Sequence, residues 1–184
     1  MRFTNNFNRI TYLKNPNLPK LTWILLIAFL TLSCGNTLPE RIPETLSGKV
    51  IGVTDGDTIE ILYEGKPLKI RFAHVDCPEI RNQQPFGRAA KTFVSDKCFG
   101  KYVTVSHNSE FDRYKRLVAE IITEDGTNLN KELMTAGLAW HYKQYSTNSD
   151  YANLEITARS QRIGIWSENN PTPPWNWRSS KKTR

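Results

Sequence analysis

The feature that most constrains this chain is the spacing of its apolar residues between Leu46 and Thr123, where short runs of strand period are interrupted once by a helical period. Ser47–Thr54 and Thr58–Tyr63 are β-rich and flank Asp55-Gly56-Asp57, residue types that supply the dihedrals and side-chain hydrogen bonds of tight turns. Glu64-Gly65-Lys66-Pro67 turns the chain into a third run, Leu68–Val75, in which Leu68, Ile70 and Phe72 alternate with Lys69, Arg71 and Ala73. Alternate residues of a strand share a face, so Arg71 points away from the apolar one. Pro85–Phe99 then carries the helix period, with Phe86, Ala90, Phe93, Val94 and Cys98 on one side, Pro85 suited to the first turn and Gly100 as the stop. Tyr102–Ser106 and Leu117–Thr123 return to strand, and Asn130–Ala139 and Asp150–Arg162 read as helices, the second closed by Gly164.

Five short strands with a helix between the third and fourth predict an α+β, mainly β, architecture: a five-stranded OB-type barrel with three helices, a class that commonly binds oligonucleotides. A chain of 184 residues has room for one such domain and a processed end, and not for two domains. With 39% hydrophobic and 11% aromatic residues it is too apolar to be disordered. The net charge of +7 is an argument about the ends alone. Arg2, Arg9, Lys14 and Lys20 precede Cys34, and Arg178, Lys181, Lys182 and Arg184 follow Trp175, so residues 35–174 carry 17 basic against 18 acidic residues. Charge by itself does not point to nucleic acid.

Residues 1–34 read as an export signal: a basic, Asn-rich start, the uncharged run Leu21–Ser33, then Cys34-Gly35-Asn36. Thirteen helical residues reach about 20 Å, short of a hydrocarbon core of roughly 30 Å, which disfavours a permanent span. Thr31-Leu32-Ser33-Cys34 resembles a bacterial lipoprotein signal, in which the cysteine is lipidated and becomes the first residue, although Thr31 stands where Leu is commonest. The expectation is an exported protein, either anchored to a membrane through lipid on Cys34 or secreted or periplasmic. Residues 35–45 read as a linker, 46–169 as the barrel domain, and 170–184 as a Pro/Trp-rich basic tail that either docks back on the domain or lies on a basic flap. In an oxidising compartment Cys77 and Cys98 either pair or remain two buried thiols; their spacing does not decide.

Three segments concentrate charge where strands meet loops: Asp55-Gly-Asp57-Thr58, Arg71-Phe-Ala-His-Val-Asp76-Cys-Pro-Glu79 and Asp112-Arg-Tyr-Lys-Arg116. Singly, the first is an ordinary turn, the second a solvated loop and the third a basic run. Together, Asp57, Asp76 and Glu79 offer the hard oxygen ligands and the base of a Ca²⁺-assisted hydrolysis, and Arg71 and Arg116 offer forks for a phosphate. In order, interval and secondary-structure setting the three segments resemble the staphylococcal nuclease (thermonuclease) family, with the likeness running from about Leu46 to Asn169 and including Gly164-Ile-Trp-Ser-Glu168.

That resemblance implies roles. Asp57 and Asp76 match the calcium-ligating aspartates, with the backbone carbonyl of Cys77 as a further ligand. Glu79 matches the glutamate that positions or deprotonates the attacking water, and Arg71 and Arg116 match the phosphate-holding arginines. Asp55 matches an acid just behind the metal, and Arg113 and Tyr114 match positions lining the nucleotide pocket. Cys77 stands where the best-known member has threonine, and Lys115 where it has glycine. Tyr142 and Tyr145 can stack on bases, as in single-strand binders, whereas Trp140 reads as packing. The implied activity is calcium-dependent, sequence-tolerant hydrolysis of DNA and RNA leaving 3′-phosphate ends. The alternative is an inactive OB-type module that binds single-stranded nucleic acid, a reading disfavoured because all five charged positions are filled.

Overall fold

A computed structural model describes residues 43–182. The signal, Cys34 and most of the linker lie outside the described residues. Five strands close a barrel in the order β1 (Thr45–Asp55), β2 (Thr58–Tyr63), β3 (Lys66–Phe72), β6 (Leu117–Thr123) and β5 (Tyr102–Phe111). All pairs are antiparallel except β3 with β6. The parallel closure requires a crossover between β3 and β6, and helix α1 (Gly87–Cys98) lies within it.

Strand alternation fills the interior. Ile59 and Ile61 from β2, Ile70 and Phe72 from β3, Val103 and Val105 from β5 and Leu117, Ala119 and Ile121 from β6 are all buried. Helix α1 lays Ala90, Val94 and Cys98 on this core, and α2 (Leu129–Thr135) adds Leu129, Leu133 and Met134. Asn128 caps α2 by accepting from the Lys131 N–H, and Asn148 caps α3 (Ser149–Ser160) by accepting from the Asp150 N–H, each satisfying an amide that a helix start leaves without an intrahelical partner.

The structure corrects the expected elements in three places. The third strand ends at Phe72: His74 takes a left-handed φ of 68°, which turns the chain off the barrel so that β4 (Val75–Asp76) pairs instead with β7 (Trp140–His141). Strand β5 runs on to Phe111 through residues whose exposed side chains carry no alternation. The described residues form four helices and not three, because Pro174–Lys182 of the expected tail forms α4, with Pro174 at its first position. A 3₁₀ turn, Gly164–Ser167, leads towards it.

Candidate active site

Strand register brings the three charged segments to one end of the barrel. Asp55 at the end of β1 pairs with Thr58 at the start of β2, Thr58 pairs with Arg71 near the end of β3, and Arg71 pairs with Val118 of β6, two residues beyond Arg116. The tight β1–β2 turn works only with glycine at its centre: a Cβ on Gly56 would stand 2.6 Å from the Ala90 Cβ and 2.9 Å from the Cys77 Sγ. This close approach packs the turn against both α1 and the segment that carries Asp76.

Arg71 is the hub. Its Nη1 lies 3.0 Å from Asp57 Oδ2, and its Nη2 lies 2.7 Å from Asp76 Oδ1. Nη1 also donates to the Val75 carbonyl at 3.0 Å. Burial lowers the pKa of this guanidinium, but Asp57 and then Asp76 more than reverse that, so it is held charged. Asp57 is fixed from two further sides, accepting from the Cys77 N–H at 2.7 Å and from the Thr58 hydroxyl at 3.2 Å.

Arg116 joins the same network through Thr58, whose Oγ1 accepts from Arg116 Nη1 at 3.1 Å. On its other side Asp112 takes Arg116 Nε at 2.7 Å on Oδ2 and the Tyr114 and Arg116 amides on Oδ1. Asp112 was legible in the motif, yet nothing in its spacing announced that it aims Arg116. Lys115, between them, has a left-handed φ of 60°, the conformation in which glycine is at ease. Exposed Tyr114 lies beneath both Arg113 and Arg116, with guanidinium carbons 4.9 and 5.4 Å from the ring centre.

The carboxylates are crowded. Burial, and then the charge of Asp57, raises the Asp55 pKa to about 7. Burial likewise raises Asp76 to about 6, against the opposing pull of Arg71. Buried carboxyls that resist ionisation mark a place short of positive charge, which a cation would relieve. The donor chemistry therefore fits a hard cation. Among the described residues no three acidic, His or Cys side chains converge on one point, so Asp57 and Asp76 would need carbonyl and water oxygens to complete the six to eight ligands of Ca²⁺.

Glu79 sits on a loop pinned by Gln84, which accepts the Glu79 N–H at 2.9 Å and donates to the Thr172 carbonyl at 2.7 Å. Its carboxylate meets Arg178 of α4, Nη1 to Oε1 at 2.6 Å, and the same guanidinium donates to Asp76 Oδ2 at 2.8 Å. Sequence reasoning missed Arg178, because no periodicity ties a residue beyond Pro171-Thr-Pro-Pro174 to a loop nearly one hundred residues earlier.

Tyr142 stacks on Trp175 of α4 at 5.6 Å and 8°, and its pKa is raised by burial and then by Asp76, which places it beside the carboxylates. Tyr145 is 71% exposed and meets the Tyr142 ring at 4.9 Å. Trp140 packs between Trp166 and Trp175, as its packing reading expects. Cys77 and Cys98 are both free and buried.

The family model described as "Staphylococcal nuclease homologue" matches residues 69–168, more than half the chain. The chain belongs to the staphylococcal nuclease family. It is 39% identical over 136 residues to an uncharacterized endonuclease of Escherichia coli O157:H7, covering 74% of this chain and 87% of the relative. A second uncharacterized endonuclease, from Haemophilus influenzae, is 35% identical over 163 residues, 88% of this chain and 85% of that one. A protein of Shigella flexneri named micrococcal nuclease is 34% identical over 145 residues, 73% and 82% of the two chains. The closed five-stranded barrel agrees with the family's OB-like fold. The protein is a staphylococcal-type nuclease, a hydrolase whose substrate class is nucleic acid.

Proposed function

We propose that this nuclease is a calcium-dependent endonuclease that hydrolyses the phosphodiester bonds of DNA and RNA with little sequence preference and leaves 3′-phosphate ends. The observation that carries the reading is the joining of two arginines to one carboxylate, Arg71 directly at 3.0 Å and Arg116 through Thr58. Anchored in this way, both guanidiniums are already held beside the carboxylates that would take the ion, which limits the reorganisation needed when a phosphate arrives.

In this reading Asp57, Asp76 and the Cys77 carbonyl hold the ion, with Asp55 adding negative charge behind them. Bound there, calcium supplies polarisation of a phosphate oxygen. The chain's own groups do the rest. Glu79, whose N–H and carbonyl are both held by Gln84, directs the attacking water and receives its proton on a carboxylate oxygen, while the P–O5′ bond breaks and the departing 5′-oxygen takes a proton from solvent. Arg71 and Arg116 donate to the equatorial oxygens and neutralise the charge that builds there. Tyr114, with Arg113 over its ring, offers a face for a base, and the exposed Tyr145 beside Tyr142 offers a second. Contacts of this kind stack on any base, which suits sequence tolerance. Export through residues 1–34, with lipid on Cys34 as the anchor, completes the proposal.

Calorimetric titration of Asp57→Ala tests the metal assignment. The expected result is a folded protein whose calcium affinity falls by at least about tenfold, because a charged ligand is gone. A calcium isotherm equal to the wild type would place the ion elsewhere.

A further inference from the structure

Arg178 occupies the mouth of the carboxylate cluster in a way that none of the three charged segments requires. Its Nη2 donates to Asp76 Oδ2 at 2.8 Å, while its Nη1 donates to Glu79 Oε1 at 2.6 Å and reaches Asp76 Oδ1 at 3.3 Å. Arg71 already donates to Asp76 Oδ1. Both oxygens of Asp76 therefore face guanidinium donors. A planar fork laid across a carboxylate takes the lone pairs a metal ion would use, and its positive charge repels a second cation at the same place.

The placement is built into the fold. The Thr172 carbonyl accepts from Gln84, the residue that also holds the Glu79 loop. One turn before Arg178, Trp175 is clamped between Tyr142 and Trp140. Arg178 lies three residues beyond Trp175, so both side chains project from the same side of α4. Arg159 in turn stacks over Trp166 and Trp140, 4.0 and 4.8 Å from the two rings. An aromatic wedge thus fixes the helix that delivers the guanidinium.

We propose that Arg178 is a positioning residue of the nuclease site, an internal counter-ion that holds Asp76 and Glu79 in the metal-free protein and must leave Asp76 when calcium binds, so that it sets the calcium affinity. The inference rests on the calcium reading above. It gives Pro174–Lys182 a function in the site: α4 partly offsets the carboxylate charge without metal, and raises the calcium concentration at which the site fills.

The test is calorimetric titration of the full chain with calcium, using wild type, Arg178→Gln and Arg178→Lys, with melting temperatures in chelator and in saturating calcium. Arg178→Gln is expected to bind calcium roughly tenfold more tightly, the size of one charge-assisted hydrogen bond lost from the competing state. Arg178→Lys, which keeps the charge without the fork, should fall between the two. The glutamine variant should melt lower than wild type in chelator and gain more from calcium. A purely structural helix contact would lower melting in both conditions and leave the isotherm unmoved, which would overturn the proposal, as would weaker binding by Arg178→Gln. Absence of calcium binding by all three proteins would overturn the calcium reading and this inference together.

Discussion

At the residue scale, the proposed chemistry rests on fork geometry and not on a sum of charges. Arg71 spans two carboxylates with two nitrogens, an arrangement that a point-like ammonium cannot reproduce. Arg71→Lys keeps net charge and is expected to cost roughly 10²–10³-fold in turnover of a single-stranded substrate. Near-normal turnover would mean that Arg71 acts only as diffuse positive charge. Lys115 illustrates the opposite case, a residue at odds with its own backbone. Its left-handed φ aims the Tyr114–Arg116 turn, so Lys115→Gly should stabilise the fold by about 1 kcal/mol in urea denaturation. A loss of stability would show that the lysine side chain contributes something its backbone conformation does not reveal.

Among the elements, the short β4–β7 pair is what takes Asp76 off the barrel and sets it beside Arg71. It is tied down by polar contacts: the Ser146 hydroxyl meets His74 Nδ1 and His141 Nε2, each at 2.9 Å. Burial lowers the His141 pKa against the pull of Glu155, helped by Lys143 and His74, from an ordinary 6.5. A histidine whose folded pKa is depressed binds fewer protons folded than unfolded, so the stability it contributes is present above pH 6.5 and is lost as pH falls through the folded value. Melting followed from pH 8 to 5 should show wild type losing stability relative to His141→Gln below about pH 6.5. Parallel curves would contradict a neutral, buried imidazole. None of this pair was visible in the sequence, because two-residue strands carry no period and their partner is set by tertiary packing. The barrel strands and α1 were legible because they bury one face and so must alternate or repeat.

For the molecule as a whole, the charged residues of the three segments could be read from the chain because each segment sits at the end of a strand, where register dictates its neighbours. Arg178 could not, because its place depends on a helix held by aromatic wedges from Trp140 and Tyr142. The near-neutral stretch between residues 35 and 174 likewise hides a locally unbalanced cluster, in which burial raises Asp55 to about 7 and Asp76 to about 6. In the proposed reading, positive charge brought to that cluster, by Arg178 or by calcium, controls the nuclease. The most direct measurement is the length of denatured DNA after incubation with the purified protein, once in calcium and once in excess chelator. Progressive shortening in calcium and intact strands in chelator are expected. Equal shortening in both, or intact strands in both, would contradict the calcium reading.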